Sequence, residues 1–167
     1  LVKKPDTYDV RQAGMAERYY PLSGRANITL APFMAHEYPR TEKWTSTQLY
    51  LRAKNGASVT FHIDGGKSVT EQVSPSPNVQ MVRFNGATSH ASIDISGSNA
   101  TLFATAQEGN SGIVLDNFSM RGSSGQTLAN LPEAMLRQFA QVRPYDLIVF
   151  QFGANVITPA SKANELQ

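Results

Sequence analysis

Two short stretches of this 167-residue chain hold residue types suited to acyl chemistry. Residues 119–126, "SMRGSSGQ", bring together Gly122, Gly125 and the hydroxyls of Ser123 and Ser124. Residues 153–156, "GANV", add the side-chain amide of Asn155. A glycine lets a backbone N–H approach a ligand closely, and an amide supplies a second neutral donor. Two such donors aimed at one point form an oxyanion hole, which stabilises the negative oxygen of a tetrahedral acyl-transfer intermediate. Ser123 and Ser124 invite a nucleophile reading, but "RGSSG" lacks the Gly-x-Ser-x-Gly spacing of a nucleophile elbow. They read as loop hydroxyls close to a substrate.

The elements around these stretches must bring them together. "GIVLDNF", residues 112–118, and "DLIVFQF", residues 146–152, are apolar runs of the kind buried as strands in a parallel sheet. Between them, Leu128, Leu131, Met135, Leu136, Phe139 and Val142 recur at helical spacing over 127–142. Asn130 is placed to cap that helix with Glu133 reaching back, Pro132 suits its first turn, and Arg143-Pro144 closes it. Strand, helix and strand make one βαβ unit with a right-handed crossover, and loops 119–126 and 153–156 both leave from carboxyl ends of its strands.

Upstream the texture is different. From Arg25 to Asn110, short alternating runs are broken by turn signals, the pattern of an antiparallel β-sandwich or jelly roll. "SVTFHID" puts Val59, Phe61 and Ile63 on one face and Thr60, His62 and Asp64 on the other, with Asp64 to Gly66 turning the chain. "MVRFNGATSHASIDIS" reads as a hairpin turning at Asn85-Gly86, with Ala91, Ile93 and Ile95 alternating beyond it. "SGSN", 96–99, makes another turn before "ATLFATA". The expected fold is therefore mainly β: an N-terminal segment 1–24, a jelly-roll-like β-sandwich 25–110, and a partial α/β unit 111–167.

Composition narrows the functions. Apolar residues at 41% can build a core, and a net charge of +2 spread along the chain argues against a nucleic-acid partner. With no cysteine there is no disulfide framework and no thiolate metal site. No run is long enough for a membrane span, and "LVKKPDTYDV" lacks both an initiator Met and an apolar signal core. The chain is expected to be an internal piece, or a processed form, of a longer polypeptide.

Histidine is the usual general base, and there are three. His62 falls on the polar face of a strand, His90 follows a hairpin turn, and His36 sits beside Glu37 in "MAHEYPR". Each reads as a solvated surface residue, and none has metal-ligand spacing. No metal or cofactor is expected. Trp44, flanked by polar residues in "TEKWTST", and Tyr19, Tyr20, Tyr38 and Tyr50 are candidate sugar platforms or half-buried core.

At "DNFSMRGSSGQTL" and "DLIVFQFGANV" the sequence resembles the SGNH (GDSL-type) hydrolases, in their second and third blocks. The resemblance spans 112–156 and implies that Gly122 and Asn155 form the oxyanion hole. Val156 stands where the third block often has Asp. The Gly-Asp-Ser nucleophile block and the Asp-x-x-His pair are absent from the 167 residues. Some relatives that resemble peptidoglycan or polysaccharide O-acetylesterases carry a carbohydrate-binding-like sandwich between blocks one and two. That order implies a serine esterase acting on an acylated glycan in the periplasm or outside the cell, with the remainder of the parent polypeptide supplying the nucleophile, Asp and His. The alternative is a non-catalytic carbohydrate-binding or structural sandwich.

Overall fold

The computed structural model describes residues 20–22, 25–30, 43–63, 66–116, 125, 128–129 and 131–152. These residues fall into two compact units, one reaching to Val114 and the other beginning at Leu115.

The first unit is mainly β. Its strands are β1 (Tyr20–Leu22), β2 (Arg25–Leu30), β3 (Trp44–Ala53), β4 (Ala57–Ile63), β5 (Lys67–Val73), β6 (Gln80–Thr88), β7 (Ala91–Ser96) and β8 (Ala100–Glu108). They form two antiparallel four-stranded sheets, ordered β1-β8-β3-β6 and β2-β7-β4-β5. Strand pairing starts at Tyr20, ahead of the expected boundary at Arg25, because β1 adds to the edge of β8.

The core follows from period-two alternation. Val59 and Phe61 in β4, Ile93 and Ile95 in β7, and Leu49 and Leu51 in β3 are fully buried and cluster with Trp44, Ala53, Val73 and Leu102. Phe61 stacks on Phe84 with ring centroids 5.9 Å apart. The opposite faces of β4 and β7 carry Thr60, His62, Ser92 and Asp94, as expected of a sheet with one solvated side. Gly66 N–H donates to the Ile63 carbonyl, closing the turn that joins β4 to β5.

Asn85-Gly86 does not turn the chain. Both residues lie inside β6, which pairs with β3. The ladder shifts register between Trp44 and Ser46, so the dipeptide sits at an irregularity in a strand. Gly86 is needed there for close approach, since a Cβ would lie 2.6 Å from Cζ of Phe84. The actual reversal comes at Thr88–His90, where the Thr88 hydroxyl donates to the His90 carbonyl and accepts from the His90 N–H. It carries the chain from one sheet to the other, so β6 and β7 are not a hairpin.

The second unit contains α1 (Glu133–Val142). The helix begins later than the apolar spacing suggested. Pro132 occupies the N-cap position with extended backbone rather than the first turn, and no side chain caps it. A proline disfavours helical backbone in the residue before it, which stops the helix from extending back through Leu131. Asn130, the expected cap, lies outside the described residues. Glu133 in the first turn suits the helix dipole and pairs with Arg137 one turn on.

Neither apolar run forms a strand among the described residues: 113–116 and 147–152 carry no ladder, so the expected βαβ unit reduces to its helix. Ile113, Leu115, Leu147 and Val149 are more than 70% exposed. A run of apolar side chains is suited to a buried strand, but a strand exists only through its neighbours, and among the described residues none pairs with these runs.

Candidate functional site

In the second unit the end of the first apolar run is tied to the residues that lead into the second. Asp116 closes the first run, and Arg143 and Tyr145 lead into the second. Arg143 Nε donates to Asp116 Oδ2 at 2.5 Å and its Nη2 to Oδ1 at 2.9 Å, a bidentate pair with both side chains mostly covered. Tyr145 Oη donates to the same carboxylate at 2.7 Å. The hydrogen bond from Arg143 holds the Asp116 carboxyl below the usual carboxylate range, against an opposing desolvation. Burial, then the hydrogen bond to Asp116, pushes the Tyr145 phenol up to about 12.

A second tie lies nearer the candidate chemistry. Gly125, with φ +93°, packs directly on the Phe152 ring, so that a Cβ would fall 2.9 Å from Cγ. Both the left-handed backbone and the close approach call for glycine. Gly125 is three residues past Gly122, and Phe152 three residues before Asn155. Gly122, Ser123, Ser124 and Asn155 themselves lie outside the described residues.

These ties set a pH window. Asp116 has a lowered pKa, so its contribution is present above the unfolded value of 3.8 and is lost as pH falls through the folded value. Tyr145 has a raised pKa, so its contribution is full below 10.0 and is lost as pH rises through about 12. The clamp is therefore whole across neutral pH. Site-resolved NMR titration of Tyr145 is expected to give a value near 12, falling part of the way to 10 in Asp116→Asn because burial, the larger cause, remains. An unchanged titration in Asp116→Asn would remove the carboxylate from the clamp.

The expected aromatic platform is corrected. Trp44 is 5% exposed, lies in the sandwich core, and donates its indole N–H to Thr47 Oγ1 at 2.8 Å. A ring so covered has no open face for a sugar. One of its polar neighbours, Thr47, satisfies the indole instead of marking a wet surface. Tyr50 is buried too, its hydroxyl donating to Gln48 Oε1, and Gln48 Nε2 donating to Glu108 Oε2. Tyr19 and Tyr38 fall outside the described residues.

The histidine reading missed an arrangement on the solvated face of the β2-β7-β4-β5 sheet. His62 Nδ1 is 2.8 Å from Ser68 Oγ, and its Nε2 is 2.8 Å from Asp94 Oδ2. Asn27 Nδ2 donates to the other oxygen of Asp94 at 2.6 Å. The turn closing at Gly66 makes His62 and Ser68 cross-strand partners, a signal present in the sequence. Asp94 comes from β7, and nothing local in sequence announces that pairing.

No cluster of three or more His, Cys, Asp or Glu suited to a metal occurs among the described residues. No described helix is long and apolar enough to cross a membrane. Set against models of known protein families and against curated proteins, the chain matches none.

Proposed function

We propose that this chain is part of a serine esterase that removes O-acyl groups, O-acetyl first among them, from a glycan such as peptidoglycan or another envelope polysaccharide, in the periplasm or outside the cell. The Gly125–Phe152 contact carries the reading. It sets Gly125, three residues past Gly122, against Phe152, three residues before Asn155, while the Asp116–Arg143–Tyr145 clamp ties the end of the first run to the start of the second. The SGNH-like order of blocks two and three supports it from the sequence side.

In this reading Gly122 N–H and the Asn155 amide donate to the carbonyl oxygen as it becomes negative, which lowers the barrier more than it tightens ground-state binding. Other residues of the parent polypeptide supply the attacking serine, the histidine that takes its proton, and the aspartate that orients the histidine. The exposed apolar runs fit strands whose neighbours belong to that same remainder. The alternative of a purely carbohydrate-binding sandwich finds no platform in Trp44 or Tyr50, which are both buried.

The isolated chain is expected to show no steady-state hydrolysis of p-nitrophenyl acetate, and the full-length parent to turn it over. Turnover by the chain alone, abolished by Ser123→Ala or Ser124→Ala, would overturn the division of labour proposed here.

A further inference from the structure

The line Ser68–His62–Asp94–Asn27 has the order of a nucleophile, a base, an orienting carboxylate and a group that fixes the carboxylate. A carboxylate only accepts when ionised, so Asp94 against Nε2 selects the neutral tautomer with its proton on Nε2. Nδ1 is then an acceptor, and at 2.8 Å the Ser68 hydroxyl must donate to it. This is the polarity that activates a serine, with the two ring nitrogens exchanged relative to the usual triad. The line is also held in place: Ser68 and His62 are directly opposed across β4 and β5, and β7 on the other side of β4 presents Asp94. Thr60 and Thr70, 2.9 Å apart on the same face, share a hydrogen bond with no base and make an internal comparison.

We propose that Ser68 is a nucleophile in its own right, able to take one acyl group from an activated ester with His62 as base. As Ser68 Oγ bonds to the acyl carbon, its proton passes to His62 Nδ1, and Asp94 stabilises the imidazolium. Collapse of the tetrahedral adduct breaks the bond to the leaving oxygen, which departs with the electron pair, and the imidazolium proton goes to solvent. The result is an acyl ester on Ser68.

The surroundings limit the chemistry to that single step. Strand N–H groups lie in the plane of their sheet, so an open sheet face offers no pair of backbone donors converging above Ser68. His62 and Asp94 are also open to water, with side chains 41% and 55% exposed. Acylation by a donor with a good leaving group needs little oxyanion stabilisation, whereas repeated hydrolysis of a poor ester needs much. The site is therefore an acyl acceptor and not a second esterase, and it is independent of Gly122 and Asn155.

The test treats the 167-residue chain with p-nitrophenyl acetate and maps acetyl groups by peptide mass, with hydroxylamine separating labile esters from stable lysine amides. Ser68 is expected to carry a hydroxylamine-labile acetyl formed at least about 100-fold faster than on Ser58 or Thr70, and His62→Gln to remove that advantage. His62 is exposed enough for this variant to fold, which circular dichroism checks. Nitrogen NMR of the neutral His62 ring should place its proton on Nε2, and Asp94→Asn should move it to Nδ1 and slow acetylation. Acetylation of Ser68 no faster than Thr70, an unchanged rate in His62→Gln, or a wild-type ring protonated on Nδ1 would each overturn the proposal. None of those results would touch the oxyanion reading, whose residues lie elsewhere in the chain.

Discussion

Asn155→Ala in the full-length parent is expected to slow acyl transfer by about 100- to 1000-fold, the usual effect of deleting one oxyanion donor. The loss should appear in kcat and kcat/KM together, with KM nearly unchanged, because the developing negative charge exists mainly in the transition state. Asn155→Asp makes the sharper comparison. It is nearly isosteric but aims a carboxylate at an oxyanion, so it should be at least as slow as Asn155→Ala. The steady-state constants of both variants check this, and an unchanged kcat would leave Asn155 as a capping or turn residue and Gly122 as an ordinary loop glycine.

The second large effect belongs to the sandwich. Phe61→Ala is expected to cost the first unit about 3–5 kcal/mol, because a fully buried ring is replaced by a cavity that β4, fixed between β5 and β7, closes only in part. The lost stack on Phe84 adds to the transfer and cavity terms. Domains of this size are stable by about 5–15 kcal/mol, so the variant should have a greatly lowered denaturation midpoint. Val69 is the control: it is the cross-strand partner of Phe61 but is 38% exposed, so Val69→Ala should cost far less. Denaturant unfolding of both variants decides the matter. Equal small losses would mean that Phe61 is not at the centre of a closed core.

Particular residues show why the β unit was legible and the second unit less so. Val59, Phe61, Ala91, Ile93 and Ile95 alternate without interruption, and a period of two has one physical solution when a single face is buried. Asn85-Gly86 carried a local turn signal, but pairing with β3 and the need to clear the Phe84 ring overrode it. Trp44 misled through its neighbours: the Thr47 hydroxyl, which suggested solvent, serves the buried indole instead. The runs at 113–116 and 147–152 announce burial, yet hydrophobicity names no partner, and a strand is a property of a pair. Pro132 marked the helix start, and its effect on the preceding residue outweighed the apolar spacing through Leu131.

The candidate site divides in the same way. Gly122 and Asn155 were singled out from residue type and spacing alone, and both lie outside the described residues. The Gly125–Phe152 contact was not, since it joins residues 27 apart and depends on a left-handed glycine under a ring. Nor was the His62–Asp94 pair, which needs β7 to lie beside β4 over a separation of 32 residues.

The most direct measurement is a crystal structure of the full-length parent with its serine carrying a phosphonate, whose anionic oxygen stands in for the oxyanion. Gly122 N and Asn155 Nδ2 are each expected at about 2.7–3.1 Å from that one oxygen. A phosphonate oxygen facing solvent or other donors, with either group well beyond hydrogen-bonding distance, would contradict the account.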